Sequence, residues 1–289
     1  MNLLKAVNAA LSNNLSSPNP QKNWYLVDSG PNNGSLNMAI DEYLATSVNC
    51  EVPILRFYQW QPYAISLGYN QRSADIDLEK CRQDKIDIVR RPTGGRAVLH
   101  AEEVTYAVII PKPASDWFQN STRVTYQFIS QALVAGLAKL GLSVKLENRT
   151  HGNVAYAART SAAIPCFTAA AQHEVMFQGK KLIGSAQRRF SSAILQHGSI
   201  LLGDFHLKLP QYLKINNPKE QIALQQSLVE KTISISQILK QPISYREVVD
   251  AIVAGFSEQY HISFIKKEMK SQKHPQLERL LDKYQQGWR

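Results

Sequence analysis

Residues 86–100 of the 289-residue chain read IDIVRRPTGGRAVLH. An apolar run meets Arg90 and Arg91, a proline, the pair Gly94–Gly95 and Arg96, and a second apolar run follows. The two runs predict strands, and the glycines predict the turn between them. Two interpretations stay open: a tight hairpin with solvated arginines, or a binding loop whose glycines let another molecule approach the main chain. The stretch is neither a Walker loop nor a dinucleotide fingerprint, since no GK[ST] follows and GxGxxG is absent.

The elements around this stretch do not follow a strict βαβ order, which predicts an α+β fold with a mixed β-sheet flanked by helices. The segments that read as strands are WYLVD, PILRFYQW, AISLGYNQ, TYAVIIP and AILQHGSILL, together with a hairpin in HEVMFQGKKLIGSAQRR that turns at Gln178-Gly179-Lys180. The predicted helices are SLNMAIDEYLA, capped by Ser35; YQFISQALVAGLAKLG, stopped by Gly141; SYREVVDAIVAGF, with a Ser244–Glu247 capping box; and QLERLLDKY.

The sequence predicts a flexible leader over residues 1–23 and one large domain over residues 24–289. Within that domain, residues 240–289 are expected to form a helical tail that packs on the rest. No apolar run is long enough for a membrane span, and the leader lacks the unbroken apolar core of a secretory signal. Three cysteines without paired spacing fit a reducing compartment, so we expect a cytoplasmic protein without a membrane partner.

The formal net charge of +10 indicates an anionic partner, either nucleic acid or an acidic protein. The cationic residues are scattered, and the chain shows neither a long basic helix nor an aromatic RNA-binding signature. We therefore expect no nucleic-acid partner. The histidines lack metal-ligand spacing, so no metal site is expected.

One cysteine stands out by its position. Cys166 lies in SAAIPCFTAA, shortly before the predicted hairpin that carries Lys180 and Lys181. An ammonium nearby would increase the thiolate fraction of a thiol whose ordinary pKa is about 8.5. Taken alone, Cys166 also fits a small buried hydrophobe, which is our interpretation of Cys50 and Cys81.

Taken together, RRPTGGRAVLHAEEVTY, PCF, GKKLIGSAQRR and LQHGSILL resemble the lipoate/biotin protein ligase superfamily. Within it the motifs are most similar to the octanoyltransferases, and the similarity runs from about Trp24 to the C-terminal LLDKYQQGW. The resemblance implies the biotin/lipoate protein ligase catalytic fold. It also implies transfer of an octanoyl group from acyl carrier protein to a lipoyl-domain lysine, such as that of the glycine cleavage H protein.

In that family a cysteine forms an acyl-thioester, and a lysine fifteen positions later lowers its pKa. Cys166 and Lys181 match this spacing and are the implied catalytic residues. The implied substrate-binding residues are Arg91, Gly94, Gly95, Arg96, His100, Gly184, Ser185 and Ala186. The resemblance places the glycine turn against the acyl group and its arginines against an anionic arm or carrier surface, and it requires no cofactor. The segment FTAAAQHEVMFQ departs from the family's usual filling.

Other functions stay open on the same residues. An ATP-dependent lipoate-protein ligase would share the IGSAQ hairpin and leave Cys166 incidental. An octanoyl amidotransferase between lipoyl domains would also use a cysteine. A non-catalytic carrier-binding protein would not require Cys166 and Lys181.

Overall fold

The computed structural model describes residues 22–47, 50–115, 118, 121–147, 174–268 and 274–287. In these ranges the strands are β1 (Asn23–Asn32), β2 (Ile54–Trp60), β3 (Ala64–Leu67), β4 (Asp87–Arg90), β5 (Val98–His100), β6 (Glu103–Pro111), β7 (Lys145–Glu147), β8 (Glu174–Phe177), β9 (Lys180–Arg189), β10 (Ala193–Leu201) and β11 (Ser263–Lys266). The helices are α1 (Gly34–Thr46), α2 (Leu78–Gln83), α3 (Lys112–Ser115), α4 (Thr122–Lys139), α5 (Pro218–Lys231), α6 (Ile235–Leu239), α7 (Tyr245–Tyr260) and α8 (Pro275–Gln286).

The strands form two sheets, and the α+β prediction is confirmed. The larger sheet has the order β11-β1-β2-β6-β10-β9-β8-β7, with β1 parallel to both of its neighbours and antiparallel pairing from β2 to β7. The smaller sheet has the order β4-β3-β5. Strands β6 and β10 are buried along their whole length, because helices cover one face of the large sheet and the small sheet and α1 cover the other.

The stretch quoted first does not form a hairpin, so that interpretation is wrong. Strand β4 pairs parallel with β3, and β5 pairs antiparallel with the other edge of β3. The Arg91–Ala97 segment therefore passes over the end of β3 instead of folding β4 back on β5.

The predicted hairpin before the C-terminal third is confirmed. Gln178 and Gly179 link β8 to β9 with φ angles of +49° and +77°, the left-handed conformation that two-residue hairpin turns require. Lys180 already begins β9 and is not part of the turn.

Helix caps follow the sequence with one correction. Helix α1 begins at Gly34, and its cap is the Asn33 side chain, which accepts from the Leu36 amide, so Ser35 lies inside the helix. The Ser244–Glu247 capping box of α7 is confirmed, and Gly141, with φ of +76°, follows the end of α4.

Two features of the C-terminal half go beyond the predicted helices. Helices α4 and α7 cross so closely that a Cβ on Gly255 would lie 2.3 Å from the Gly136 nitrogen. Strand β11, between α7 and α8, adds to the edge of the large sheet beside β1. No helix in the described ranges is long and apolar enough to cross a membrane.

Candidate active site

A pocket opens where the small sheet meets β2, β6, β9 and β10. It encloses about 450 Å³, counting the space at its mouth. Its lining residues are Met38, Tyr58, Trp60, Ser66, Arg91, Val98, His100, Thr105, Lys181, Gly184, Ser185, Ala186, His197, Gly198 and Ser199. The structure thus brings together six of the residues singled out in the sequence: Arg91, His100, Lys181, Gly184, Ser185 and Ala186. Gly94, Gly95 and Arg96 are not among its lining residues, and Cys166 lies outside the described residues.

The buried side chain of Arg91 stabilises the Arg91–Ala97 loop through hydrogen bonds to backbone carbonyls. Its guanidinium donates to the carbonyl oxygens of Ser66 at 2.9 Å, Gly94 at 2.8 Å and Arg96 at 2.8 Å. The interpretation of this arginine as a binding residue that faces an anionic partner stays a prediction. Two of the three carbonyls belong to the loop and the third to β3, and one guanidinium offers donors to all of them.

The two glycines of the loop have different roles. Gly95 adopts a φ of +102°, a conformation that favours glycine. Its carbonyl packs on Gly68, where an added Cβ would lie only 1.8 Å from the Gly95 oxygen. Gly94 is exposed, and an added Cβ there would meet nothing within 4 Å. Close approach of two backbone segments thus depends on Gly68, which the sequence motif did not include.

His100 belongs to a buried hydrogen-bonded cluster rather than to an open binding group. Its Nδ1 lies 2.8 Å from Glu103 Oε1, its Nε2 lies 2.8 Å from Ser66 Oγ, and its ring stacks on Trp60 at 4.0 Å. Arg91 also donates to Ser66 Oγ at 3.0 Å, which connects this cluster to the loop. Both ring nitrogens of His100 therefore have a hydrogen-bond partner within the protein.

Burial opposes the charge of Glu103, but His100 and two further hydrogen bonds outweigh it and hold the pKa of this carboxyl below its ordinary value. The hydroxyls of Thr105 and Ser199 donate to Glu103 Oε1 at 2.6 Å and 2.8 Å. The second oxygen, Oε2, is buried without a hydrogen-bond partner among the residues that the structure describes. Glu103 is therefore a buried carboxylate that orients His100.

A second histidine connects the loop to helix α1. His197 Nε2 lies 2.7 Å from Thr93 Oγ1, and its Nδ1 lies 2.9 Å from Asp41 Oδ2. Asp41 also pairs with the fully buried Arg56 at 2.5 Å. Burial opposes ionisation of Asp41, yet Arg56 and His197 hold its pKa below the ordinary value. Burial also lowers the pKa of His197, so its imidazole is neutral at pH 7.

The two lysines at the start of β9 point in different directions, as their strand positions predict. Lys181 is buried, lines the pocket and places Nζ 2.6 Å from Glu174 Oε1. Lys180 extends along the outside and donates to the Val229 carbonyl at 3.0 Å. The structure thus presents one cationic amine of β9 to the pocket.

The strands β9 and β10 pass closely where they form the pocket wall. A Cβ on Gly198 would lie 2.6 Å from the Gly184 carbonyl oxygen. Ser185 Oγ lies 2.7 Å from the Tyr106 hydroxyl, and burial raises the pKa of Tyr106 to about 12. This wall is therefore backbone-rich and uncharged beyond Lys181.

Two other thiols are unreactive by their surroundings. Burial raises the pKa of Cys50 to about 11 and that of Cys81 to about 12. Both are protonated at neutral pH, in agreement with their interpretation as buried hydrophobes. Within the described ranges no group of three or more histidine, cysteine or acidic residues is placed to hold a metal ion.

Sequence reasoning missed the residues that support the pocket: Asp41, Trp60, Ser66, Glu103, Glu174 and His197. Asp41 lies in a largely apolar helix, SLNMAIDEYLA, and a charged residue inside such a helix was the sequence signal that could have found it.

The pocket combines three chemical features. Met38 and Val98 contribute apolar lining, Lys181 contributes a buried amino group, and buried hydrogen bonds hold the adjacent loop. Such a pocket suits a ligand with an apolar body and few polar groups.

Comparison with known proteins places these features in a family. The family model of the lipoyl protein ligase A/B catalytic domain matches residues 33–257. The chain is 37% identical to octanoyltransferase LipM of Clostridioides difficile, over 90% of this chain and 96% of that protein. It is 34% identical to octanoyltransferase LipM of Staphylococcus epidermidis, over 92% of this chain and 97% of that protein.

Solved structures show the same fold. A bipartite lipoate protein ligase from Thermoplasma acidophilum, studied with its E2 lipoyl domain, matches with a TM-score of 0.73 at 24% identity and covers 92% of this chain and 96% of that one. Lipoate-protein ligase A bound with ATP matches with a TM-score of 0.70 at 23% identity, over 93% of this chain and 99% of that one.

Proposed function

The chain belongs to the lipoyl protein ligase A/B catalytic-domain family, and on this premise we propose that it takes an octanoyl group from acyl carrier protein and passes it to a lipoyl-domain lysine. The predicted fold type and the predicted acyltransferase enzyme are confirmed, because relatives that match about nine-tenths of the chain are octanoyltransferases of lipoate biosynthesis. The donor, the acceptor and the covalent step are our proposal. The observation that carries it is the buried Lys181 on the wall of an apolar pocket, fifteen positions after Cys166.

The first half-reaction forms an acyl-enzyme. The Cys166 thiolate attacks the carbonyl carbon of the carrier thioester, a new S–C bond forms, and the carrier leaves as a thiolate that takes up a proton. One thioester replaces another, so the step is close to balanced and uses no nucleotide. Lys181 supplies a positive charge that favours the thiolate form of Cys166.

The second half-reaction makes the amide. The neutral ε-amine of the acceptor lysine attacks the acyl-cysteine, the C–S bond breaks, and the proton lost by the amine goes to the departing thiolate or to solvent. Conversion of a thioester to an amide is downhill and drives the transfer. A backbone amide aimed at the developing oxyanion would stabilise it by about 3 kcal/mol for each well-placed donor.

The Glu174 carboxylate holds the Lys181 ammonium in place. Both side chains are almost fully buried, and their 2.6 Å contact fixes the ammonium at the pocket wall. Removal of either partner would leave the other buried without its counter-charge. The position of Lys181 at the pocket wall is the basis on which we assign it to thiolate stabilisation.

A reaction that begins from a thioester needs neither a metal nor a cofactor from the protein, and its nucleophilic thiol needs a reducing compartment such as the cytoplasm. Carrier proteins and lipoyl domains with acidic surfaces suit the net charge of +10. Two other activities remain as outcomes of the test: ATP-dependent lipoate ligation and amidotransfer between lipoyl domains.

Intact-mass analysis tests the proposal. The protein is mixed with octanoyl acyl carrier protein in the presence of a nucleotide-depleting enzyme and a magnesium chelator. We expect an octanoyl adduct on the wild-type chain and none on Cys166→Ser, because an alcohol is a much weaker nucleophile than a thiolate. Addition of apo H protein should then move the adduct to that acceptor.

Three results would point elsewhere. Acceptor modification that requires ATP and free octanoate or lipoate would reject the transferase in favour of the ligase. An adduct formed from octanoyl-H protein but not from the carrier would favour the amidotransferase. Transfer by Cys166→Ser at the wild-type rate would overturn the covalent mechanism.

A further inference from the structure

Arg188, near the end of β9, lies between two aromatic rings next to the Arg91–Ala97 loop and has no role in the proposed acyl transfer. Its guanidinium carbon lies 4.5 Å from the ring centre of Tyr69 and 4.8 Å from that of Phe190. One of its nitrogens, Nη1, donates to the Pro92 carbonyl at 2.7 Å. The two rings and this hydrogen bond fix the plane of the guanidinium at the Arg91–Ala97 loop.

Arg188 forms no salt bridge with the described residues. No carboxylate lies within salt-bridge distance of its guanidinium in the part of the chain that the structure describes, whereas Arg56, Arg82 and Arg246 each pair with one. Arg188 is half-buried, and Tyr69 beside it is 52% exposed. An anion can therefore reach the N–H groups that Pro92 does not engage.

The distance along β9 suggests which anion this is. Arg188 follows Lys181 by seven residues of strand, about 20–23 Å in extended backbone. Between them Gly184, Ser185 and Ala186 form one wall of the pocket. A pantetheine arm spans about 16 Å from its phosphorus to its sulfur when extended, given bonds of about 1.5 Å at ordinary angles. The side chains of Lys181 and Arg188 both have several ångströms of reach, so an arm of this length fits between them.

We propose that Arg188, held between Tyr69 and Phe190, binds the phosphate of the phosphopantetheine arm while the thioester end of that arm lies at Lys181. The inference rests on the proposed function, because it requires a donor that carries its acyl group on such an arm. A planar guanidinium offers two parallel N–H donors to a phosphate, and one already oriented by its neighbours loses little freedom on binding.

Two small donors that differ only in the phosphate test the proposal. Octanoyl-pantetheine and octanoyl-4′-phosphopantetheine are each mixed with the wild-type chain, and the rate of octanoyl adduct formation is followed by intact mass in single turnover. We expect the phosphorylated donor to react about 10- to 100-fold faster at low concentration, the range of one charge-assisted contact. Octanoyl acyl carrier protein serves as the third donor.

The readout for each variant is the ratio of the two small-donor rates, which is independent of the amount of folded protein. Arg188→Gln should bring the ratio close to 1, and Arg188→Lys should restore part of it through charge alone. The matched control is Arg189→Gln, which removes the same charge from the adjacent, exposed strand position. Its ratio should stay at the wild-type value.

The outcomes separate the two proposals. Acylation by both small donors with a wild-type ratio near 1, or an unchanged ratio in Arg188→Gln, would overturn the phosphate contact and leave the acyl transfer standing. Equal losses in Arg188→Gln and Arg189→Gln would show a general charge effect and also overturn it. Failure of every thioester donor to acylate the wild-type chain would reject the proposed function, and the phosphate contact with it.

Discussion

Replacement of Asp41 by Asn tests the buried network that holds the Arg91–Ala97 loop. Asp41 and Arg56 are both fully buried and lie 2.5 Å apart, and Asp41 also binds His197 and the Tyr58 hydroxyl. An amide keeps the shape of the carboxylate but leaves the Arg56 guanidinium without its counter-charge. Loss of one partner of such a pair typically costs about 3–5 kcal/mol.

Thermal and urea unfolding measure this effect. At roughly 2–4 °C for each kcal/mol in large domains, we expect Asp41→Asn to lower Tm by about 10 °C. Asp250→Asn is the matched control, because Asp250 pairs with Arg246 on the surface of α7 with both side chains 62% exposed. Such an exposed i, i+4 pair contributes only about 0.3–0.5 kcal/mol.

The pH dependence gives an independent check on the same group. Burial alone would raise the pKa of Asp41, but Arg56 outweighs burial and lowers the folded-state pKa below its value in the unfolded chain. The contribution to stability is then fully present above about pH 4 and is lost as the pH falls through the folded-state value. The difference between wild type and Asp41→Asn should therefore shrink below pH 4. A loss under 1 kcal/mol at pH 7, or a difference that grows in acid, would refute the reasoning.

The remaining predictions concern the loop, the lysines and the buried His206. Gly68→Ala should cost about 2–3 kcal/mol and most of the activity, because its Cβ would lie 1.8 Å from a loop carbonyl, whereas Gly94→Ala meets nothing within 4 Å; unfolding and acylation assays that find the two equal would contradict this. Lys181→Ala should slow alkylation of the proposed nucleophilic thiol at pH 7 far more than Lys180→Ala, and the reverse order would overturn the assignment. Burial lowers the pKa of His206, so its contribution to stability is present above about pH 6.5 and falls in acid, by at most about 1.4 kcal/mol at pH 5.5. Urea unfolding of wild type and His206→Gln across this range measures it, and equal slopes would show that another group is responsible.

The sequence predicts local elements well where their signals are local. The Ser244–Glu247 box and the Gln178–Gly179 turn each depend on a few adjacent residues, and both form as expected. The prediction of a hairpin at Arg91–Ala97 was wrong because β3, about twenty residues earlier in the chain, pairs with both β4 and β5 and keeps them apart. Strand pairing between distant segments leaves no signal in the segment itself.

The residues of the candidate site show the same contrast between signals that a sequence carries and contacts between distant segments. Lys181 was singled out because its spacing from Cys166 matches the family that the motifs resemble. His197 and Asp41 were not, because they are 156 residues apart and meet only through the packing of α1 on the sheet. A buried carboxylate in a largely apolar helix is costly unless it is paired, so Asp41 and Glu42 in SLNMAIDEYLA indicated partners without identifying them.

The arginines of the loop show why a basic motif is a poor guide to where a partner binds. A segment that crosses the end of a strand presents carbonyl groups without ladder partners, and Arg91 donates to two of them, Gly94 and Arg96, as well as to the Ser66 carbonyl of β3. Arg90 does the same outside, with the carbonyls of Gly68 at 3.1 Å and Gln71 at 2.5 Å. These two charges are used to build the loop. Arg188 lies outside the motif and brings to this edge of the pocket a positive charge whose orientation is already fixed by Tyr69, Phe190 and the Pro92 carbonyl.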